Sequence, residues 1–338
     1  MTSEITLFVN PTAGRARARA TGTPRRRERG RTQPGAAERR VHALAVAVER
    51  PDAERSANPA VRAAQQTAAA LRAAGYTVRA VLGEDAEDAL ARARTAVADG
   101  TGALIAVGGD GMAQLALQAV AGTATPLGLV AVGTGNDFAR ALGLPVRDPA
   151  AAGRLIADGL KGSRVREVDL GRIGDRWFAT VLATGFDSRV NDRGNRMRRP
   201  AGRLKYDLAM LAELAAFRPL PYRLTLDGGA VREIEASLIA VGNGSSYGGG
   251  MRICPGADLT DGLFDLTVVG DCSRATLVRV FPRVYRGTHV DHPKVSVVRA
   301  ATVEIASEGL TGYADGEPLG PLPLTARCVP GAVRVVAP

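Results

Sequence analysis

Two apolar runs of this chain each end in a glycine turn and pass straight into a helical pattern. Ala103–Val107 leads into Gly108-Gly109-Asp110-Gly111, and Leu127–Val132 leads into Gly133-Thr134-Gly135-Asn136-Asp137. Strands that alternate with helices in this way belong to a parallel α/β sheet, with the glycine turns at the carboxyl ends of the strands. Such turns present backbone N–H groups at a helix N-terminus, here beside the Thr134 hydroxyl, where polyphosphate can bind. Glycine allows the close approach because it has no Cβ. One such turn is weak evidence of a ligand loop, whereas two in succession point to phosphoryl-transfer chemistry.

The alternation extends through the first half. Ile5–Val9 reads as a strand closed by Asn10-Pro11-Thr12-Ala13-Gly14. Next comes a segment from about 15 to 58, rich in Arg, Pro, Ala and Glu, which reads as a solvated insertion with a short helix at Val41–Val48. Helices are expected at Val61–Ala74, Ala86–Ala98, Met112–Ala121 and Phe138–Leu142, with a strand at Thr77–Leu82. After Gly162 the pattern changes to period-two strands at Trp177–Ala183, Tyr222–Leu226, Ala236–Val241, Phe264–Val269 and Val303–Ala306. Asp227-Gly228-Gly229 is a hairpin turn, and Arg203–Phe217 is the one clear helix of this half. A cleft between an α/β domain and a mainly antiparallel β domain is the natural place for a site.

The net charge of +10 favours an anionic partner such as a nucleotide or a lipid headgroup. Aromatic residues make up only 4%, which leaves few stacking platforms, so no nucleic-acid partner is expected. No apolar run approaches the ~20 residues of a membrane-spanning helix, and no signal peptide opens the chain, so a cytoplasmic protein is expected. Cys254, Cys272 and Cys328 are scattered and odd in number, which suggests neither a disulfide framework nor a zinc site.

Asp110 places a carboxylate inside a phosphate-type loop, where it would hold magnesium, its water or a hydroxyl proton. Thr134 can donate to phosphate, while Asn136 or Asp137 can cap the helix that follows. No G-x-x-x-x-G-K-[ST] occurs, so phosphate charge must be met by backbone dipoles, magnesium and arginine. Between Gly248-Gly249-Gly250 and Asp265, Asp258 and Asp261 stand three apart, as a magnesium loop or as a plain polar hairpin loop. Asp315-Gly316-Glu317 sets two carboxylates around a turn, and Glu317 can take a proton from a hydroxyl. Gly242-Asn243-Gly244-Ser245-Ser246 is not a serine-hydrolase elbow, and His42, His289 and His292 lack metal-ligand company.

In order and together, these motifs resemble the diacylglycerol kinase catalytic-domain family, in particular its soluble bacterial lipid kinases. The matching pieces are Asn10–Gly14, Gly108–Gly111, Gly133 through Arg140, Gly185-Phe186-Asp187, the block from Gly248 to Asp265, and Asp315-Gly316-Glu317. They span nearly the whole chain outside the arginine-rich segment. The glycine-aspartate loop is shared with NAD kinases and phosphofructokinases; the later blocks are more specific to lipid kinases.

The resemblance implies an NAD kinase/phosphofructokinase-like nucleotide-binding α/β domain over 1–160. It also implies a C-terminal β-sandwich domain over 161–328, with the final strand, 329–338, returning to the first domain. ATP would lie against Asn10, Pro11, Thr12, Ala13 and Gly14, against the turn from Gly108, Gly109, Asp110, Gly111 and Met112 to Leu115, and against Thr134, Gly135, Asn136 and Asp137. Glu317 would be the general base, with Asp110 also catalytic. Asp261, helped by the carbonyls of Asp258 and Leu263, would hold a structural magnesium, while the catalytic magnesium rides on ATP.

The sequence departs from the family twice. The first loop runs Met112-Ala113-Gln114 where the family has Thr followed by Asn-Glu, and the basic insertion follows Gly14. The expected reaction is transfer of the ATP γ-phosphate to the hydroxyl of diacylglycerol or a related lipid. The enzyme would meet that lipid peripherally at an anionic membrane, through arginines such as Arg193, Arg196, Arg198, Arg199 and Arg203, and a homodimer is compatible with this. The alternatives are a kinase acting on a long-chain base or NAD, and a non-catalytic basic nucleic-acid- or nucleotide-binding protein.

Overall fold

The computed structural model describes residues 4–9, 36–50, 56–162, 164–196, 213 and 218–338. The turn at 10–14, the arginines at 198, 199 and 203, and the expected helix over 203–217 apart from Glu213 lie outside the described residues, as do the side chains of Asp187 and Arg196.

Four strands form the parallel sheet of the first half: β1 (Glu4–Val9), β2 (Thr77–Leu82), β3 (Leu104–Gly108) and β4 (Leu127–Ala131), in the order β2-β1-β3-β4. Both faces are covered, so β3 and β4 read as unbroken apolar runs. Alternate residues serve opposite cores. Leu104, Ala106, Leu127 and Leu129 pack with α3 (Ala86–Ala98) and α4 (Asp110–Val120). Ile105, Val107 and Val130 pack with α2 (Pro59–Ala73) and α6 (Pro149–Lys161). The helix starts are encoded locally: the Asn58, Asp85 and Asp148 side chains accept N–H groups of the first turns, and Pro59 and Pro149 open α2 and α6. α5 (Asp137–Ala141) is a single short turn of helix after the second glycine loop.

The arginine-rich segment is corrected in part. Its residues 36–49 form α1 (Ala36–Glu49), a longer helix than expected and one that belongs to the core: Val48 is fully buried, and Val41, Leu44 and Ala45 pack beside it. Glu49 accepts the N–H of Ala80 at 2.8 Å on β2, the edge strand of the sheet, and Arg72 donates to the Val48 carbonyl at 2.9 Å. Covering that edge occupies a backbone group that another chain could otherwise pair with.

The second half is β-rich. Its strands are β5 (Val165–Ile173), β6 (Arg176–Phe178), β7 (Val181–Gly185), β8 (Leu220–Leu226), β9 (Arg232–Gly242), β10 (Phe264–Gly270), β11 (Val295–Ala300), β12 (Thr302–Ala306), β13 (Thr311–Ala314), β14 (Glu317–Pro321) and β15 (Leu324–Val336). Pairing among them is antiparallel, and their inner faces enclose a core that includes Phe178, Tyr222, Ile239, Val241, Phe264, Leu266 and Ile305. On the outer face, Leu238, Ala240 and Val269 pack with α7 (Phe186–Arg196) and α8 (Arg274–Val284). β15 joins the two halves: its start pairs with β12, Val335 pairs in parallel with Leu127 of β4, and β5 runs antiparallel along it.

The strand expected over 177–183 is two strands. The break has a long-range cause: the N–H groups of Ala179 and Thr180 turn away from any ladder and donate to the Asp315 carboxylate at 2.7 and 2.9 Å.

Candidate active site

With the order β2-β1-β3-β4, the connections after β1 and β3 leave the sheet in opposite directions, which opens a crevice at their carboxyl ends. Residues 10–14 follow directly on Val9 there, although they lie outside the described residues. The first glycine loop caps β3. Gly109 is the N-cap of α4 and supplies no side-chain cap, and its carbonyl takes the N–H groups of Met112 and Ala113. The first-turn N–H groups of Asp110 and Gly111 are left at the exposed end of the helix, the arrangement that receives an anion. Gly111 and Thr134 are exposed beside it.

The two loops touch through their backbones. A Cβ on Gly133 would stand 2.5 Å from the Gly109 Cα, and one on Gly135 would stand 2.4 Å from an Asp110 carboxylate oxygen. Asp110 closes this contact: its Oδ2 accepts the N–H of Asn136 at 2.7 Å and its Oδ1 accepts that of Asp137 at 2.8 Å. Both oxygens are therefore engaged in holding the second loop against the first. Asn136 takes the left-handed conformation (φ 60°), which asparagine tolerates, and folds its side chain onto the N–H and carbonyl of Gly133. Arg140 donates to the Gly135 carbonyl at 3.0 Å and Arg147 approaches that of Thr134 at 3.4 Å, so two guanidinium groups flank the second loop.

The Met112 side chain is buried in the core shared by α4 and the sheet, and it lies over Gly108, where a Cβ would meet its Cγ at 2.4 Å. The Met112 side chain thus serves the core at this position.

The second half closes the crevice in three places. Asp137, 5% exposed, accepts the N–H of Gly249 at 2.7 Å, which brings the 248–250 glycines against the second loop. Burial pushes the Asp137 carboxyl above the usual carboxylate range and the Asp110 charge adds to this, against the N–H bonds from Gly249 and Gly250. On α4, Gln114 and Gln118 both donate to the Trp177 carbonyl, at 2.9 and 2.8 Å, and Gln118 takes the Trp177 N–H at 3.0 Å.

The third contact is the Asp315-Gly316 turn, a two-residue hairpin connection with positive φ at both residues. Asp315 reaches back to Ala179 and Thr180, taking the Thr180 hydroxyl as well at 2.5 Å. Burial raises its carboxyl, three hydrogen bonds oppose that rise, and the Asp110 charge is close enough to contribute to it. Half-buried Glu317 follows the turn at the start of β14.

Asp169 and Asn243 were not anticipated. Asp169, 3% exposed on β5, accepts the N–H groups of Gly262 and Gly331 at 2.7 and 2.8 Å and so ties the 258–263 loop to β15. Asn243 donates to the carbonyls of Asp169 and Ala179, both at 2.8 Å. A lone aspartate in the buried run Val168-Asp169-Leu170 was the available signal, because an unpaired carboxylate there would be costly.

The expected magnesium loop is differently engaged. The Asp258 carboxylate accepts the N–H and hydroxyl of Thr260, at 3.0 and 2.8 Å. Asp261 accepts the Leu263 N–H at 3.0 Å and pairs with the Arg299 guanidinium, which also holds Asp265 at 3.0 Å. Arg299 thus already supplies the positive charge at Asp261. A cation held by the Asp261 carboxylate would share it with the Arg299 guanidinium. Among the described residues, no three His, Cys, Asp or Glu side chains gather as metal ligands.

Residues 53–173 match the Diacylglycerol kinase catalytic domain, and residues 180–337 match the YegS C-terminal NAD kinase beta sandwich-like domain. Residues 10–14 lie outside both ranges. A diacylglycerol kinase of Mycobacterium tuberculosis is 48% identical over 284 residues, spanning 82% of this chain and 91% of the relative. A diacylglycerol kinase of Bacillus subtilis is 30% identical over 255 residues, spanning 74% and 82%. The fold matches the crystal structure of a diacylglycerol kinase from Bacillus anthracis with a TM-score of 0.64 at 21% identity, over 99% of this chain and 97% of the other. This chain belongs to the diacylglycerol kinase catalytic-domain family, in the form that carries a YegS-type C-terminal β-sandwich domain.

Proposed function

We propose that the protein transfers the γ-phosphoryl group of ATP to the free hydroxyl of a diacylglycerol, giving phosphatidic acid and ADP. The supporting observation is the meeting, at one crevice, of an uncapped helix N-terminus, a second glycine loop and a carboxylate-bearing turn. The α4 N-terminus, the exposed Thr134 and the flanking Arg140 and Arg147 form a cradle for phosphate. Magnesium arrives with the nucleotide and offsets phosphate charge.

Glu317 is assigned as general base. The acceptor oxygen bonds to the γ-phosphorus, the bond from that phosphorus to the β–γ bridging oxygen breaks, and the hydroxyl proton passes to Glu317. Asp110, Asp137 and Asp315 act as positioning residues: they hold the second loop, the 248–250 glycines and the Glu317 turn at fixed places around the crevice.

The test is transfer of labelled γ-phosphate to a panel of diacylglycerol, monoacylglycerol, sphingosine and NAD. Label in phosphatidic acid supports the proposal. Label only in another acceptor overturns the substrate assignment, and no transfer to any of them overturns the kinase reading.

A further inference from the structure

We propose that the outward face of α8 is a docking surface for an anionic lipid bilayer, a reading that rests on the lipid substrate proposed above. The apolar arc of helix α8 is wider than the stripe it buries. Leu277, Val280 and Val284 are buried against the outer face of the β-sandwich. On the flank next to this stripe, one residue further round the helix, Val278 is 52% exposed, Phe281 is half-buried and Tyr285, just past the last turn, is 49% exposed. Their spacing, i, i+3 and i+7, places them on one line, and the Phe281 and Tyr285 rings meet edge to face at 6.5 Å. The apolar arc thus continues past the buried stripe and into solvent at Val278 and Tyr285.

The patch extends past the helix. Among the described residues the exposed large hydrophobics are Val231, Val278, Tyr285 and Val297. Val297 shares its face of β11 with Val295, which packs in the same cluster as α8, so all but Val231 lie on this side of the molecule.

The helix itself carries charge of one sign, with Asp271 and Asp291 beyond its two ends. Residues 272–290 contain Arg274, Arg279, Arg283 and Arg286 and no Asp or Glu. Asp291 beyond them approaches only Arg283, at 4.0 Å. Exposed apolar and aromatic side chains interleaved with arginine suit a helix lying in the headgroup region, with rings among the acyl chains and guanidinium groups at lipid phosphates.

The helix also leads to the site. The N–H of Arg252 donates to the Val284 carbonyl at 3.1 Å, and Arg252 belongs to the same short loop as Gly249, whose N–H holds Asp137. A bilayer seated on α8 therefore lies next to the loop that borders the crevice.

The experiment is co-sedimentation of the full chain with phosphatidylcholine vesicles, with and without phosphatidylglycerol, in the absence of ATP and diacylglycerol. Wild type is expected to bind the phosphatidylglycerol vesicles and to be released by salt. The double variants V278S/Y285S and R279Q/R286Q are each expected to bind about tenfold more weakly, with unchanged melting temperature. Either double variant binding like wild type, or wild type binding neutral vesicles equally well, overturns the proposal. Because no turnover is measured, failure of the kinase reading in the labelling assay and failure of this surface are separate results. Unchanged transfer by V278S/Y285S to a short-chain, water-soluble diacylglycerol places the surface outside the catalytic machinery; loss of that transfer contradicts it.

Discussion

Replacing Asp315 by alanine removes the acceptor of three hydrogen bonds and leaves the buried N–H groups of Ala179 and Thr180 without partners. Each stranded N–H costs ~1–3 kcal/mol, which sets a gross loss of about 2–6 kcal/mol. Part is regained because the carboxylate is itself disfavoured by burial and by Asp110, so a net loss of about 2–4 kcal/mol is expected. That is a large fraction of the ~5–15 kcal/mol of a typical domain. Thr180→Val removes only the hydroxyl bond and should cost about 1 kcal/mol. Trp177 is the only tryptophan and stands two residues before Ala179, so its fluorescence during urea unfolding reports on this junction. Glu317 depends on the same turn, so Asp315→Ala should lower kcat more than it weakens ATP binding. A cost below about 1 kcal/mol for Asp315→Ala would refute the view that this carboxylate anchors the turn.

Met112→Thr restores the family hydroxyl but puts it in the core over Gly108; a stability loss of about 1–3 kcal/mol by thermal unfolding is expected, with no gain in kcat, and a gain would contradict the buried placement. Arg299→Met leaves Asp261 and Asp265 without their shared cation, so its melting temperature should fall and magnesium should recover part of the loss, whereas wild type should melt alike with magnesium or chelator. Burial raises the Asp137, Asp265 and Asp315 carboxyls, so between their ordinary and raised values the folded chain holds more protons than the unfolded one. Their contribution to stability is therefore fully present below about pH 4 and is lost as pH rises through the raised values. The stability of Asp137→Asn relative to wild type should accordingly improve as pH rises from about 4 to 7; a pH-independent difference would exclude a raised Asp137.

The first half was legible because its signals are local. β1 to β4 are apolar runs bounded by turn residues, and α2, α3 and α4 begin at side-chain or glycine caps that stand in the sequence. α6 carried equally clear marks in Asp148-Pro149 and Gly162 but was not anticipated. In β15, Pro330-Gly331 reads as a break; the strand survives it as a register shift between Val329 and Val333, with the Gly331 N–H taken by Asp169. The split at Ala179 and Thr180 depends on an acceptor 136 residues away, beyond any local pattern.

The site divides in the same way. Glycine spacing located the two loops, but residue type alone could not tell a carboxylate that meets a ligand from one that ties backbone together. Asp110 and Asp315 both accept backbone N–H groups. α8 escaped notice because its wide apolar arc, with apolar residues adjacent in sequence at 277–278 and 280–281, blurs the periodicity by which a surface helix is recognised.

The central claim is that Glu317 performs proton transfer at a crevice whose nucleotide cradle is built by other residues. Its most direct test is to measure, on Glu317→Gln, both ATP affinity and phosphoryl transfer to diacylglycerol. ATP affinity within about twofold of wild type together with a fall in kcat of at least ~100-fold is the predicted result. Transfer that persists near the wild-type rate would contradict the assignment.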